Sequence, residues 1–206
     1  MDKISLKTRF VLADTAVAGQ FGQRGTASPG VIIQERRGLQ IRHLACLAGG
    51  SENTLQKLSS LIGQTVGDGG GVSKGAGQLV VGAGPGQWFW LCGELQKAQH
   101  LAEILESDAT LTDHTSAKVV LRVSGPNVRD ALAKGCQVDL DPSAFRQGHA
   151  TTTQIDQVVC QIWRADEAQS YDVMVARSLA RSFWSWLAQS SSEFGYDVLP
   201  PVTITA

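Results

Sequence analysis

The apolar pattern changes character near residue 78. From residue 1 to about 40 the chain is rich in Gly, Arg and Gln, and "GQFGQRGTASPGVIIQERRG" offers few periodic apolar positions. Such a segment is expected to order only against another surface. "LQIRHLACL" (Leu39–Leu47) alternates as a strand does. "SENTLQKLSSLIG" puts Leu55, Leu58, Leu61 and Ile62 on one helical face, with Asn53 as expected cap, Gln56 three residues on and Gly63 as stop. Gly67 to Gly77 reads as a loop by composition.

Beyond Gly77 the pattern becomes regular. Strand-like "QLVVGA" and "WFWLCG" flank Gly84-Pro85-Gly86-Gln87, a hairpin turn by its residues. "ELQKAQHLAEILES" is a helix expected to turn Leu95, Leu101, Ile104 and Leu105 inward. "ATLTDHT" and "AKVVLRVSG" read as strands. "PNVRDALAKG" reads as a short helix with Ser124 or Gly125 at its cap, Pro126 in its first turn and Gly135 at its stop.

A polar stretch from Asp139 to about Gln154 then leads into strands "QVVCQIWRA" and "YDVMVA". "SLARSFWSWLAQSSS" closes as a helix capped by Ser178, with Leu179, Phe183, Trp186 and Leu187 on one side and Trp184 opposite. Pro200 and Pro201 keep the tail extended. Hairpin-plus-helix units, ferredoxin-like in rhythm, predict an α+β fold with antiparallel sheets, not a doubly wound parallel one. Residues 1–77 form the N-terminal segment and 78–206 the main part, expected to pack as one compact unit.

Composition narrows the partners. In 206 residues, 43% are hydrophobic and 18% charged, enough apolar surface for a core. A net charge of −1 with no basic run argues against nucleic acid and anionic membrane as partners. No stretch approaches the roughly 18 apolar residues of a membrane span. "MDKISLKTRFVLADT" mixes charges into its first nine residues and lacks an apolar leader core. The four cysteines (Cys46, Cys92, Cys136 and Cys160) lie far apart without a CxxC. A cytoplasmic protein with reduced, mostly buried thiols is the expectation.

Candidate chemistry is sparse. "LVVGAGPGQWFWL" (Leu79–Leu91) resembles a dinucleotide turn, and Gly82 and Gly84 fill two of its glycine positions. The third position is Gln87, a strand-like aromatic run replaces the helix that should face a pyrophosphate, and Glu103 and Glu106 fall inside a helix. Lys74 is followed by Gly75 and Ala76, so the Gly67–Gly77 loop lacks a P-loop signature. His43 and Cys46 are three apart with no second pair to complete a zinc site. Asp113-His114 has the residue types of a base and its orienting acid, yet at a strand end it reads as a turn device. His149 sits in a polar loop, and Asp139 and Asp141 read as turn formers before Pro142. No catalytic, cofactor-binding or metal-ligating residue is assigned.

Five tryptophans (Trp88, Trp90, Trp163, Trp184 and Trp186) outnumber the two tyrosines. Trp88 and Trp90 share one strand face, opposite Phe89. With an unpatterned N-terminus, this surplus suggests a protein that docks onto partners.

A family resemblance emerges between Leu111 and Ile155. The strand Val119–Ser124, the turn Gly125-Pro126, Leu132 to Cys136, Asp139-Leu140, Phe145, Gly148-His149 and Thr153 together resemble the gamma subunit of heterotetrameric sarcosine oxidase. The resemblance continues through "QIWRADEAQSYDVMVARSLARSFWSWL" and takes in Gly84-Pro85-Gly86-Gln87-Trp88, covering about Gln78 to Leu187. It implies a fold similar to the folate-binding domain of glycine-cleavage aminomethyltransferases. It also implies alpha, beta and delta subunits as partners, with FAD, FMN, NAD and zinc in those subunits and none in this chain. The complex so implied oxidises sarcosine to glycine, passes the one-carbon unit to tetrahydrofolate and reduces oxygen to hydrogen peroxide. This chain would be its non-catalytic structural member. The alternative is a stand-alone folate-binding or aminomethyltransferase-like protein.

Overall fold

The computed structural model describes residues 9–23, 28–164 and 169–204. In chain order the elements are β1 (Gly19–Phe21), β2 (Val31–Arg37), β3 (Gln40–Cys46), α1 (Ser51–Ile62), β4 (Val72–Gly75), β5 (Gln78–Gly84), β6 (Gln87–Cys92), α2 (Leu95–Leu105), β7 (Ala109–Asp113), β8 (Lys118–Ser124), α3 (Val128–Ala133), β9 (Ala150–Ile155), β10 (Val158–Trp163), β11 (Ser170–Ala176), α4 (Ala180–Ser191), β12 (Tyr196–Val198) and β13 (Val202–Thr203). They build two sheets. The larger runs β1-β12-β2-β8-β11-β10-β9, with β13 also on β2, and the smaller runs β4-β5-β6-β3-β7. All pairings are antiparallel except those of β12 and β13 with β2. The expected α+β class with antiparallel sheets is the one observed.

The layers stack as helix, sheet, sheet, helix. Outward-facing Ile33, Leu121 and Val173 of the large sheet pack with Leu132 of α3 and Phe183 and Leu187 of α4. Leu44, Val80, Trp88 and Trp90 of the small sheet pack with Leu58 of α1 and Leu101 and Leu105 of α2. The remaining sheet faces meet each other through Ile41, Val81, Phe89, Leu91, Val120, Trp163 and Met174. This sandwich explains the continuous apolar runs: β6 and β11 are covered on both faces, so neither can alternate with solvent-facing residues.

Several expectations give way to long-range packing. The N-terminal segment is anchored within this chain: Leu12 is fully buried in the helix-side core, and β2 is an inner strand with Val31 and Ile33 at 0% exposure. Arg24 to Ala27 and residues 1–8 of that segment lie outside the described residues. The glycine-rich stretch 67–77 contains β4, which pairs with β5. A boundary at residue 77 falls in that hairpin's turn, and the large sheet takes strands from both sides of it. The polar stretch after Asp139 becomes strand β9 from Ala150. The strands expected at 109–115 and 117–125 lie in different sheets, the chain crossing between them at His114–Ala117.

Helix ends also differ. Gly50, not Asn53, caps α1: Asn53 already lies in the first helical turn, and its amide donates to Asp108 (3.3 Å). Gly63 does stop the helix, at φ 70°, with its N–H on the Ser59 carbonyl. Asn127 takes the cap of α3, and Ser178 lies in a 3-10 turn ahead of α4. Leu95 and Leu179 point to solvent, while Trp184, read as lying away from the core, is buried against it.

Candidate functional site

The glycine stretch resolves as the β5–β6 hairpin. A Cβ on Gly82 would fall 1.5 Å from the Gly69 carbonyl oxygen, because the Gly67–Gly71 loop crosses directly over it. The close backbone approach that a pyrophosphate would need is therefore made by the chain's own loop. That loop is tied down at three places: Gly82 N–H to the Gly71 carbonyl (2.8 Å), Gly86 N–H to Asp68 Oδ1 (2.7 Å) and Trp88 Nε1–H to the Gly67 carbonyl (3.0 Å). A strand follows, not a helix, so these residues do not fit a dinucleotide.

The tryptophan expectation is corrected in the same place. Trp88, Trp90 and Trp163 are essentially inaccessible and Trp184 is buried, so four of the five fill cores and do not form a docking platform. Trp90 Nε1–H donates to Gln78 Oε1 at 2.8 Å, which lets its polar edge be buried at low cost.

The sequence candidates fall in separate places. His43 and Cys46 stand on opposite faces of β3: His43 meets Phe89 between the sheets, and Cys46 packs toward α1 and α2. Among the described residues, no group of three His, Cys, Asp or Glu side chains is arranged to hold a metal ion. All four cysteines are free, and burial pushes the Cys160 thiol up to about 12. Asp113 accepts from Arg42 (2.7 Å) and from the Thr115 N–H (2.8 Å), a turn two residues long. Asp139 and Asp141 form a chain of similar turns ending on Ser143, and His149 lies edge-on to Phe145.

One association escaped sequence reasoning. His43, Phe89 and His114 form a ring cluster with centroids 4.9 to 5.9 Å apart, and Lys118 Nζ stands 5.5 Å from the Phe89 ring. Burial holds both imidazoles below the ordinary histidine value; the Lys118 charge adds to this, while Gln87 opposes it at His43 and Asp113 at His114. Burial also lowers the Lys118 ammonium. No sequence signal joins residues this far apart.

The most polar part of the interior also lies between the sheets. Strand register sets Gln34, Arg122, Asp172 and Trp163 side by side across β2, β8, β11 and β10. Asp172 is 4% exposed and takes both arms of the Arg122 guanidinium, at 2.9 and 2.7 Å, with Arg36 at 3.6 Å. Such a fork fixes the guanidinium plane. One row along, Gln161 donates to the Gly82 carbonyl (2.8 Å) and accepts from Thr152 (2.6 Å), fastening one sheet to the other. Beside the Arg122–Asp172 pair lies a cavity of about 270 Å³, with Leu79, Leu91 and Trp163 as apolar wall and Lys74 at its rim. A second cavity of about 320 Å³ adjoins it at Arg36, Leu39 and Val120.

The fold is similar to those of two solved structures. It superimposes on glycine cleavage system aminomethyltransferase T from Bartonella henselae with a TM-score of 0.58 at 13% identity, over 78% of this chain and 46% of that one. It superimposes on a chain of heterotetrameric sarcosine oxidase from Corynebacterium sp. U-96, in complex with pyrrole 2-carboxylate, with a TM-score of 0.76 at 22% identity, over 91% of this chain and 96% of that one.

The chain belongs to the sarcosine oxidase gamma subunit family, whose model matches residues 77–193. Relatives carrying the name sarcosine oxidase subunit gamma include one from Corynebacterium sp. strain P-1, 29% identical over 120 residues, and one from strain U-96, 30% identical over 142 residues. Those alignments take in 57% and 66% of this chain, and they span 59% and 64% of the relatives' own lengths.

Proposed function

We propose that this chain is the structural, non-catalytic gamma-type subunit of a heterotetrameric sarcosine oxidase complex in the cytoplasm. Its alpha-, beta- and delta-type partners carry FAD, FMN, NAD and zinc. On those chains sarcosine is oxidatively demethylated to glycine, with tetrahydrofolate as one-carbon acceptor and oxygen reduced to hydrogen peroxide.

The observation that carries this reading is family membership across residues 77–193, a span holding β8 to β11 of the large sheet and β5 to β7 of the small one. The fates of the candidate side chains support it: the Gly82 turn receives the chain's own backbone, Asp113 and Asp141 serve turns, and His43 and Cys46 are divided between two faces. Co-expression with the alpha, beta and delta chains, followed by affinity capture and size exclusion, tests it. The expected result is one complex that elutes with this chain in equal ratio, its flavin absorbance retained by the partners when this chain is removed. A chain that remains separate while the other three assemble and turn over sarcosine overturns it.

A further inference from the structure

We propose that the cavity between the sheets, with the one adjoining it at the β2–β3 and β7–β8 crossovers, forms a binding site for a small organic dianion with an apolar body, held through carboxylates. The site is independent of the reading above and rests on four features of this chain.

The first is charge. The chain as a whole carries −1, yet among the described residues the two adjoining cavities are lined by Arg36, Arg37, Lys74, Lys118, Arg122 and Arg177 against Glu35 and Asp172. Walls of low dielectric strengthen the field of such a lining on an anion within it.

The second is preorganisation. Asp172 takes Arg122 in a two-armed fork and draws Arg36 to the same spot, so both guanidiniums are held at the cavity wall. Asp172 fills the bidentate edge of Arg122, so what the pair of guanidiniums offers a ligand is positive charge held in place at the wall. The third is a buried donor: Trp163 is 1% exposed, lines the cavity, and its Nε1–H has no hydrogen-bond partner among the described residues. A buried donor left unpaired is costly, and a ligand oxygen reaching it through a small adjustment of the wall would relieve that cost. The fourth is shape and polarity. Leu39, Leu79, Leu91, Val120 and Ile204 line the same space, which suits an apolar body carrying charge at its ends better than a bare inorganic anion.

Terephthalate is the probe, with terephthalamide as its uncharged counterpart, and inorganic phosphate and a hexaglutamate peptide as rival anions. Binding to the full-length chain, alone or in its complex, is read by calorimetry and thermal shift at low and high salt. Terephthalate is expected to bind and to raise the melting temperature, more weakly at high salt, while terephthalamide does neither. Arg36→Met should weaken binding about ten-fold, Trp163→Phe about five-fold, and Lys74→Met, an exposed change that spares the fold, about three-fold. No response to terephthalate overturns the proposal. So does equal binding of terephthalamide, an equal or larger response to phosphate or hexaglutamate, or unchanged affinity in folded Lys74→Met and Trp163→Phe.

Discussion

Beneath α3 and α4, the large sheet presents Ile33, Leu121 and Val173, each at 0% exposure, and beneath α1 and α2 the small sheet presents Leu44 and Trp88 in the same state. Between the sheets, Val81, Leu91 and Val120 share their layer with Arg36, Lys118, Arg122, Gln161, Asp172, His43 and His114. The outer layers are mostly apolar, with single polar ties such as Trp90 Nε1–H to Gln78 and the Tyr171 hydroxyl to the Leu140 carbonyl. The middle layer is joined by directed polar contacts, which set how one sheet sits on the other, because a hydrogen bond in low dielectric rewards one geometry and penalises its loss.

The largest effects should come from the outer layers. Trp90→Ala and Trp184→Ala should each cost about 4 kcal/mol in urea unfolding, since each empties a large, well-packed site. A loss below about 1 kcal/mol at Trp184, the range of a surface residue, would return it to the role of a docking side chain and break the comparison. Next in size is Asp172→Ala. Removing the shared counter-charge of Arg122 and Arg36 should cost about 3 kcal/mol, measured the same way. If Asp172→Ala proves neutral, the middle layer is held by apolar contact like the other two.

How much of this was legible follows from the distance over which each feature is encoded. The β5–β6 and β10–β11 hairpins and helices α2 and α4 were readable because their apolar runs and turns are local. Strand β2 was not, since its partners β8 and β12, and the helices α3 and α4 of the core that buries Val31 and Ile33, all come from far along the chain. Trp184 was misplaced because Leu179 was taken to mark the buried face, whereas the 3-10 turn ahead of α4 rotates Leu179 out to solvent. Nothing in the sequence singles out the cavity residues Arg36, Arg122 and Asp172, which strand register brings together, or joins them to Lys74, which the packing of one sheet on the other brings beside them. The family resemblance was legible where its motifs are dense, in the stretch that the family model also matches.

A more modest effect tests the glycine loop. Asp68→Ala removes the acceptor for the Gly86 N–H at an exposed turn and should cost about 1 kcal/mol. Loop and hairpin should loosen together, seen as faster amide exchange at Gly82 and Gly86, because the Gly82 N–H is held by the Gly71 carbonyl. Unchanged exchange at Gly82 would mean that the loop is positioned by packing and not by these bonds.

The smallest effect belongs to the histidine cluster, where both rings are only half-buried. Burial lowers the folded-state values of His43 and His114, so between the ordinary histidine value of 6.5 and those lower values the unfolded chain binds more protons than the folded one. Their contribution to stability is complete above pH 6.5 and is lost as the pH falls through the lowered folded values. Lys118 deepens the loss, since a protonated imidazole would face its ammonium across Phe89, while Asp113 and Gln87 soften it. Unfolding free energies measured from neutral pH downward should fall for the native chain and fall less for His43→Gln with His114→Gln. An identical slope in that double variant would assign the acid sensitivity to carboxylates elsewhere, and the middle layer would lose its claim to be the titrating part of the molecule.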